Sequence, residues 1–204
     1  MGTREKVILD TDFMNYMIRA NKGEKEYYFN KIVNDLNIDP VIHEFLYEKE
    51  MMGNPLVNKL VEEGKIKVMK YQDFLKDKND DIYYSNLFSD LYKFCNGREL
   101  QYGEQNFATY QESNANLGEI HSVILALYTG YTLFFSNDKG SKSMVQTKIN
   151  TEVYDLKVKD IMDIFEELAL LEEKTITKKD FNMLTKGDKG RKSHIKEIKE
   201  KWIE

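Results

Sequence analysis

Along this chain, short runs of consecutive apolar residues alternate with longer stretches whose apolar positions recur every three or four residues. The first run, "KVIL" ahead of Asp10, has the length and branched side chains of a strand buried on both faces. The stretch after it repeats apolar residues at Phe13, Met14, Met17 and Ile18, which is helical spacing. In "IDPVIHEFLYEKEM" the pattern predicts a helix: Asp39 stands as a cap, Pro40 suits the first helical position, and Val41, Ile42, Phe45 and Leu46 form one apolar face. "NPLVNKLVEEG" repeats that device, from Asn54 as cap to Gly64 as stop. "KIKVMKY" alternates with period two and reads as a strand. Further on, "NLGEIHSVILALYTG" is a helix ended by Gly130, and "YTLFFSND" is a buried strand that breaks into a polar turn. "TEVYDL" reads as a short strand and "KDIMDIFEELALLEE" as an amphipathic helix. The tail holds two short helical patterns separated by "KGDKGRK", with Ile195, Ile198 and Trp202 as a docking stripe.

Strands separated by helices predict an α/β fold, three layers (α/β/α) around a mainly parallel sheet. Residues 1–158 would make that domain, and 159–204 a helical extension packing on it. Between about residues 76 and 116 the pattern weakens: a polar "KDKNDD" is followed by eight aromatic residues from Tyr83 to Tyr110. Base stacking is one use for such rings, but Leu87, Phe88, Leu91 and Tyr92 lie at helical spacing, which favours core packing.

Composition narrows the class. With 204 residues, 41% hydrophobic and 32% charged, the chain is large enough to bury a real core in one domain. No segment reaches the roughly 18 to 20 apolar residues that cross a bilayer, and "MGTREK" lacks the apolar stretch of a secretory signal. A cytoplasmic protein without a membrane partner is therefore expected. Cys95 is alone, which excludes an internal disulfide, and its aromatic surroundings suit packing better than nucleophilic chemistry. The net charge of -5 is uneven: from Lys174 to Glu204 there are ten Lys or Arg against five Asp or Glu, so the rest of the chain is acidic.

Ligands of parallel sheets collect at the carboxyl ends of the strands, and acidic residues stand near those ends here. Asp10 and Asp138 follow apolar strands, Glu44 lies in an early predicted helix and Glu119 opens a later one. Each has an ordinary reading as well. Glu119 lies three residues after Asn116 and can complete a capping box, Glu44 can face solvent, and Asp138 sits in the turn-like "SNDKG". Asp10 is harder to dismiss, because an acid closing a buried strand needs a partner. Brought together, four carboxylates repel one another unless a cation neutralises them. Hard oxygen donors suit Mg²⁺ or Mn²⁺.

The order "VILDTDF", "PVIHEFL", "NLGEIHSVILALYTGYTLFFSNDKGSK" resembles the PIN-domain nucleases. The likeness spans about residues 5 to 158, and its third block is the most specific. It implies a Mg²⁺- or Mn²⁺-dependent endoribonuclease that hydrolyses phosphodiester bonds by metal-activated water, with Asp10, Glu44, Glu119 and Asp138 as catalytic metal ligands. Asp12, Ser136 and Asn137 would support them, and Glu48 can replace Glu44 one turn on. The substrate would be RNA, with DNA not excluded, and the partners implied are an antitoxin or other protein partner and a second copy in a homodimer. Lys139, Lys142, Lys189, Arg191 and Lys192 are the basic residues placed to meet phosphates. "LDTDF" also resembles the opening motif of haloacid dehalogenase-type phosphatases, in which Asp10 would be a nucleophile; Met14 stands where that family has Thr or Val. A third reading is a PIN-like module that binds RNA or protein without cutting.

Overall fold

Five parallel strands in the order β3-β2-β1-β4-β5 make the centre of the molecule, seen in a computed structural model that describes residues 4–17, 25–100, 106–112 and 115–203. The chain runs β1 (Glu5–Leu9), α1 (Thr11–Met17), α2 (Lys25–Asp35), β2 (Ile38–His43) and a short α3 (Glu44–Leu46) that widens into a π-helical turn at Tyr47–Met51. It continues through α4 (Pro55–Glu62), β3 (Lys67–Met69), α5 (Tyr71–Phe74), α6 (Lys78–Asn96), α7 (Leu117–Thr129) and β4 (Leu133–Phe135). The last elements are α8 (Lys139–Met144), β5 (Lys157–Lys159), α9 (Ile161–Leu170), α10 (Lys178–Leu184) and α11 (Lys192–Lys201). Successive strand residues face opposite sides, and both sides are covered. Val7, Leu9, Leu133 and Phe135 pack with α1, α2 and α9–α11, while Ile8, Val41 and Phe134 pack with α6 and α7. The expected three-layer α/β/α architecture is what forms, with every strand pair parallel.

The main departure from the sequence pattern is β2. Asp39 and Pro40, expected to start a helix, lie inside a strand whose side chains are buried except at Asp39. Buried on both faces, a parallel strand reads as a nearly continuous apolar run, which a helical window also accepts. Pro40 sits where β2 has β1 alone as its neighbour, because β3 joins only from Val41. That edge-like position tolerates a residue without an N–H. His43 then caps the helix that follows, its Nδ1 accepting from the Phe45 N–H at 3.0 Å.

Elsewhere the local signals hold. Asn54 caps α4 with Pro55 in its first turn, and Gly130 ends α7 at φ +68°, a conformation that favours glycine. The last strand is β5, immediately after "TEVYDL" rather than within it, and the boundary drawn after residue 158 falls inside this strand. The aromatic segment packs: Tyr84, Phe88, Tyr92, Phe107 and Tyr110 are buried. Cys95 sits 3.5 Å from the Met144 sulfur, and burial pushes its thiol up to about 11. No helix among the described residues is long and apolar enough to cross a membrane.

Candidate functional site

The chain lays down β1, β2 and β3 in one direction, then returns to the other side of β1 with β4 and β5. Strand order therefore reverses between β1 and β4, where open α/β sheets leave a crevice at the carboxyl ends. Asp10 leaves β1 there. Its backbone N–H still bonds to Phe135 of β4 at 3.0 Å, and its side chain is 2% exposed. One carboxylate oxygen accepts from the Thr11 N–H at 2.7 Å and the other from the Ser136 hydroxyl at 2.9 Å. Burial raises Asp10 well above the usual carboxylate range, the Glu119 charge adds to this, and the two hydrogen bonds oppose it.

A cleft of about 590 Å³ opens over this point, lined by Asp10, Thr11, Asp12, Lys49, Glu50 and Glu119, with Phe45 and Gln111–Glu112 among its walls. Glu119 lies in the first turn of α7, and burial, followed by the charges of Glu50, Asp138 and Asp12, pushes it up to about 7. The capping-box reading of Glu119 does not apply, since Asn116 occupies the cap position at φ +52° without a side-chain capping bond. Partial desolvation raises Glu50 too, with Asp12 adding to the rise and a hydrogen bond from the Thr11 hydroxyl opposing it. The Glu50 carboxylate lies against Gly118, where an added Cβ would come within 2.6 Å of its Oε1. Five carboxylates, Asp10, Asp12, Glu50, Glu119 and Asp138, thus act on one another, and no ion pair among the described residues reaches them.

Of the acids singled out from the sequence, Asp10 and Glu119 line this cleft and Asp138 flanks it. Asp138 caps α8, accepting from the Gly140 N–H at 3.0 Å, and its own N–H donates to the Ser136 hydroxyl at 3.2 Å. Ser136 is therefore the shared support of both aspartates. Asn137 braces the neighbourhood, accepting from the Ile161 N–H at 3.0 Å. Glu44 is not brought to the cleft: it accepts from the Tyr71 N–H at 2.8 Å, and the charges that act on it are Glu48, Lys70 and Asp73. Glu48 lies with it, outside the cleft lining. Glu50 takes the place expected of Glu44. Nothing in "EFLYEKE" distinguishes Glu44, Glu48 and Glu50, because a π-helical turn intervenes and α-helical spacing fails across it.

Behind the cleft, His43 and His121 are fully buried and stacked, 5.1 Å between ring centres, and the Tyr84 hydroxyl lies 2.6 Å from His121 Nδ1. Burial lowers His43 to about 3 and holds His121 well below the usual imidazole range, with the neighbouring His43 adding to this, so both are neutral and pack the end of β2 against α7.

The basic residues divide. Lys139, Lys189 and Arg191 line a second cleft of about 890 Å³ that shares Asp12 with the first. Lys142 is held by Asp163 at 2.7 Å and Asp160 at 3.7 Å, and Lys192 faces a different groove with Lys196 and Lys199.

The acids offer only hard oxygen donors, the set that Mg²⁺ and Mn²⁺ prefer. Among the described residues no three His, Cys, Asp or Glu side chains stand arranged to hold a metal ion as they are. Mg²⁺ keeps several of its waters and needs only one or two carboxylates directly. The set fits such an ion by its donor chemistry and by the buried Asp10, a carboxylate with no ion-pair partner among the described residues. Compared with protein-family models, curated proteins and solved structures, the chain matches none.

Proposed function

We propose that the cleft at the ends of β1 and β4 is the active site of a Mg²⁺- or Mn²⁺-dependent nuclease that hydrolyses phosphodiester bonds, with RNA as its substrate. The observation that carries this reading is the gathering of five carboxylates at the strand-order reversal, around a buried Asp10, with no ion pair to them among the described residues. The resemblance of "VILDTDF" and "GEIHSVILALYTGYTLFFSND" to PIN-domain nucleases supports the same conclusion. Asp10 and Glu119 are the residues that would hold the ion directly, with Glu50, Asp138 and Asp12 around them. When bound, a divalent ion supplies positive charge to a phosphoryl group and lowers the pKa of water.

The chain's own groups have separable tasks in this scheme. Ser136 holds the Asp10 carboxylate in one orientation and the backbone of Asp138 in register with it. Thr11 does the same from the other side, donating its N–H to Asp10 and its hydroxyl to Glu50. Gly118 leaves room for Glu50 beside the start of α7. Hydrolysis by water makes no use of the 2′-hydroxyl, so no 2′,3′-cyclic phosphate forms; water adds to phosphorus, the bond to the 3′-oxygen breaks, and the products are a 3′-hydroxyl and a 5′-phosphate.

The test is incubation of the purified protein with single-stranded RNA, structured RNA and single-stranded DNA, in Mn²⁺, Mg²⁺ or EDTA, with Asp10→Asn in parallel. Metal-dependent cleavage of RNA that Asp10→Asn abolishes supports the proposal. Intact RNA, together with a melting temperature indifferent to metal, refutes it and leaves the non-cutting module as the better reading.

A further inference from the structure

Beside the acidic cleft lies the larger second one, and the two meet at Asp12. The second cleft is lined by the loop between α10 and α11, carrying Lys186, Asp188, Lys189 and Arg191, and also by Asn137 and by Lys139 at the start of α8. Among the described residues the three lysines make no ion pair, while Arg191 reaches Asp188 at 3.8 Å. The loop is anchored at both ends: Phe181 and Leu184 before it and Ile195 and Ile198 after it are buried in the core. Its cations are thus presented on a fixed base, in an otherwise acidic molecule of net charge -5.

We infer that this second cleft binds the sugar-phosphate backbone of a continuous nucleic-acid strand on one side of the acidic site, making the protein a reader of polynucleotides rather than of nucleotides or strand ends. The inference rests on the proposed nuclease reading for what happens at the acidic cleft, but strand binding itself does not require cleavage. A strand drawn toward five carboxylates is repelled by them, and cations arranged at the border of that cleft offset the repulsion. Phosphate contacts of this kind position a strand without reading its sequence.

The experiment measures binding of a 12-nucleotide single-stranded RNA to proteins that all carry Glu119→Gln, in Mg²⁺ and over a range of salt, so that a bound strand stays whole. For single strands the slope of log affinity against log salt falls by about 0.7 for each phosphate contact. Lys189→Ala with Arg191→Ala is expected to flatten that slope by about 1.4, and Lys139→Ala alone by about 0.7. Lys192→Ala, which lines the adjoining groove with Lys196 and Lys199 and not this cleft, is expected to change nothing. Should the double variant lower the melting temperature, Lys139→Ala carries the test alone. Circular RNA, which has no ends, is expected to bind as the linear strand does. Unchanged slopes in the double variant and in Lys139→Ala overturn the inference. So does binding that requires a 5′-phosphate and is lost with circular RNA, which would make this a site for strand ends. If the slopes respond as expected while protein with Glu119 intact cuts nothing, the strand site stands and the nuclease proposal fails. Cleavage with unaltered slopes has the opposite meaning.

Discussion

Glu119→Gln is the sharpest perturbation of the acidic cleft, because its effect on stability is large at high pH and absent at low pH. The Glu119 carboxyl rises from 4.5 to about 7, mainly by burial and then by the charges of Glu50, Asp138 and Asp12. An acid that holds its proton more tightly when folded than unfolded makes folding less favourable as pH climbs. Its favourable contribution is complete below pH 4.5 and is lost as pH passes through 7. At about 1.4 kcal/mol per pKa unit, metal-free protein at pH 8 carries at most about 3 kcal/mol of destabilisation from this group, reduced by solvent screening at the cleft mouth. Glutamine keeps the shape and removes the charge. In EDTA at pH 8, Glu119→Gln is therefore expected to raise the unfolding free energy by up to about 3 kcal/mol, or by roughly 6 to 12 °C in melting temperature for a chain of this size. At pH 4 the stabilisation is expected to vanish. Urea titrations at pH 4, 6 and 8 read this directly. Added Mn²⁺ should stabilise the wild type at pH 8 and largely close the gap, since an ion that binds the folded state alone adds stability by mass action. A variant less stable than wild type by the same amount at every pH would show that Glu119 is a structural group without strain, and would refute the reading of the cleft.

Other substitutions test the placement of individual side chains. Glu50→Gln is expected to lower cleavage by roughly 10- to 100-fold, the range for groups that support a metal site, whereas Glu44→Gln should leave kcat/KM near wild type; the reverse order would restore Glu44 to the site. Gly118→Ala places a methyl group 2.6 Å from Glu50 Oε1, so cleavage should fall while the melting temperature changes little. Ser136→Ala strips a hydroxyl that bonds both Asp10 and the Asp138 N–H; a stability loss of about 1–3 kcal/mol is expected, measured by urea denaturation. Trp202→Ala empties a buried site against Phe181, 5.2 Å away between ring centres, and should cost about 3–5 kcal/mol, which would mark the end of the chain as part of the core.

Much of the architecture is written locally, in patterns that need no partner to be legible. "KVIL" and "TLFF" are apolar enough to be strands covered on both faces, and Asn54–Pro55 and Gly130 mark helix ends through backbone chemistry confined to a few residues. Asp10 was legible for the same reason, since a carboxylate directly after a buried strand has few places to go. α2 and the actual start of the helix after β2 were not legible. In "IDPVIH" helix and strand patterns coincide, and the pairing of Val7 with Pro40 that decides between them lies 33 residues apart in sequence.

The sequence by itself determined that this chain is an α/β protein with acids at the ends of its first and fourth strands, because those features follow from burial and from short-range backbone preferences. Only the tertiary structure decided which glutamate of "EFLYEKE" joins them. The choice of Glu50 depends on a π-helical turn and on the space left by Gly118, contributed by a helix that begins more than 60 residues later. The same holds for the basic loop: its charge was plain in the composition, but its position beside Asp12 comes from the docking of α10 and α11 through Phe181, Leu184, Ile195 and Ile198. Interactions between residues adjacent in sequence can be read one stretch at a time, whereas a cleft is made by surfaces that meet only when the core closes.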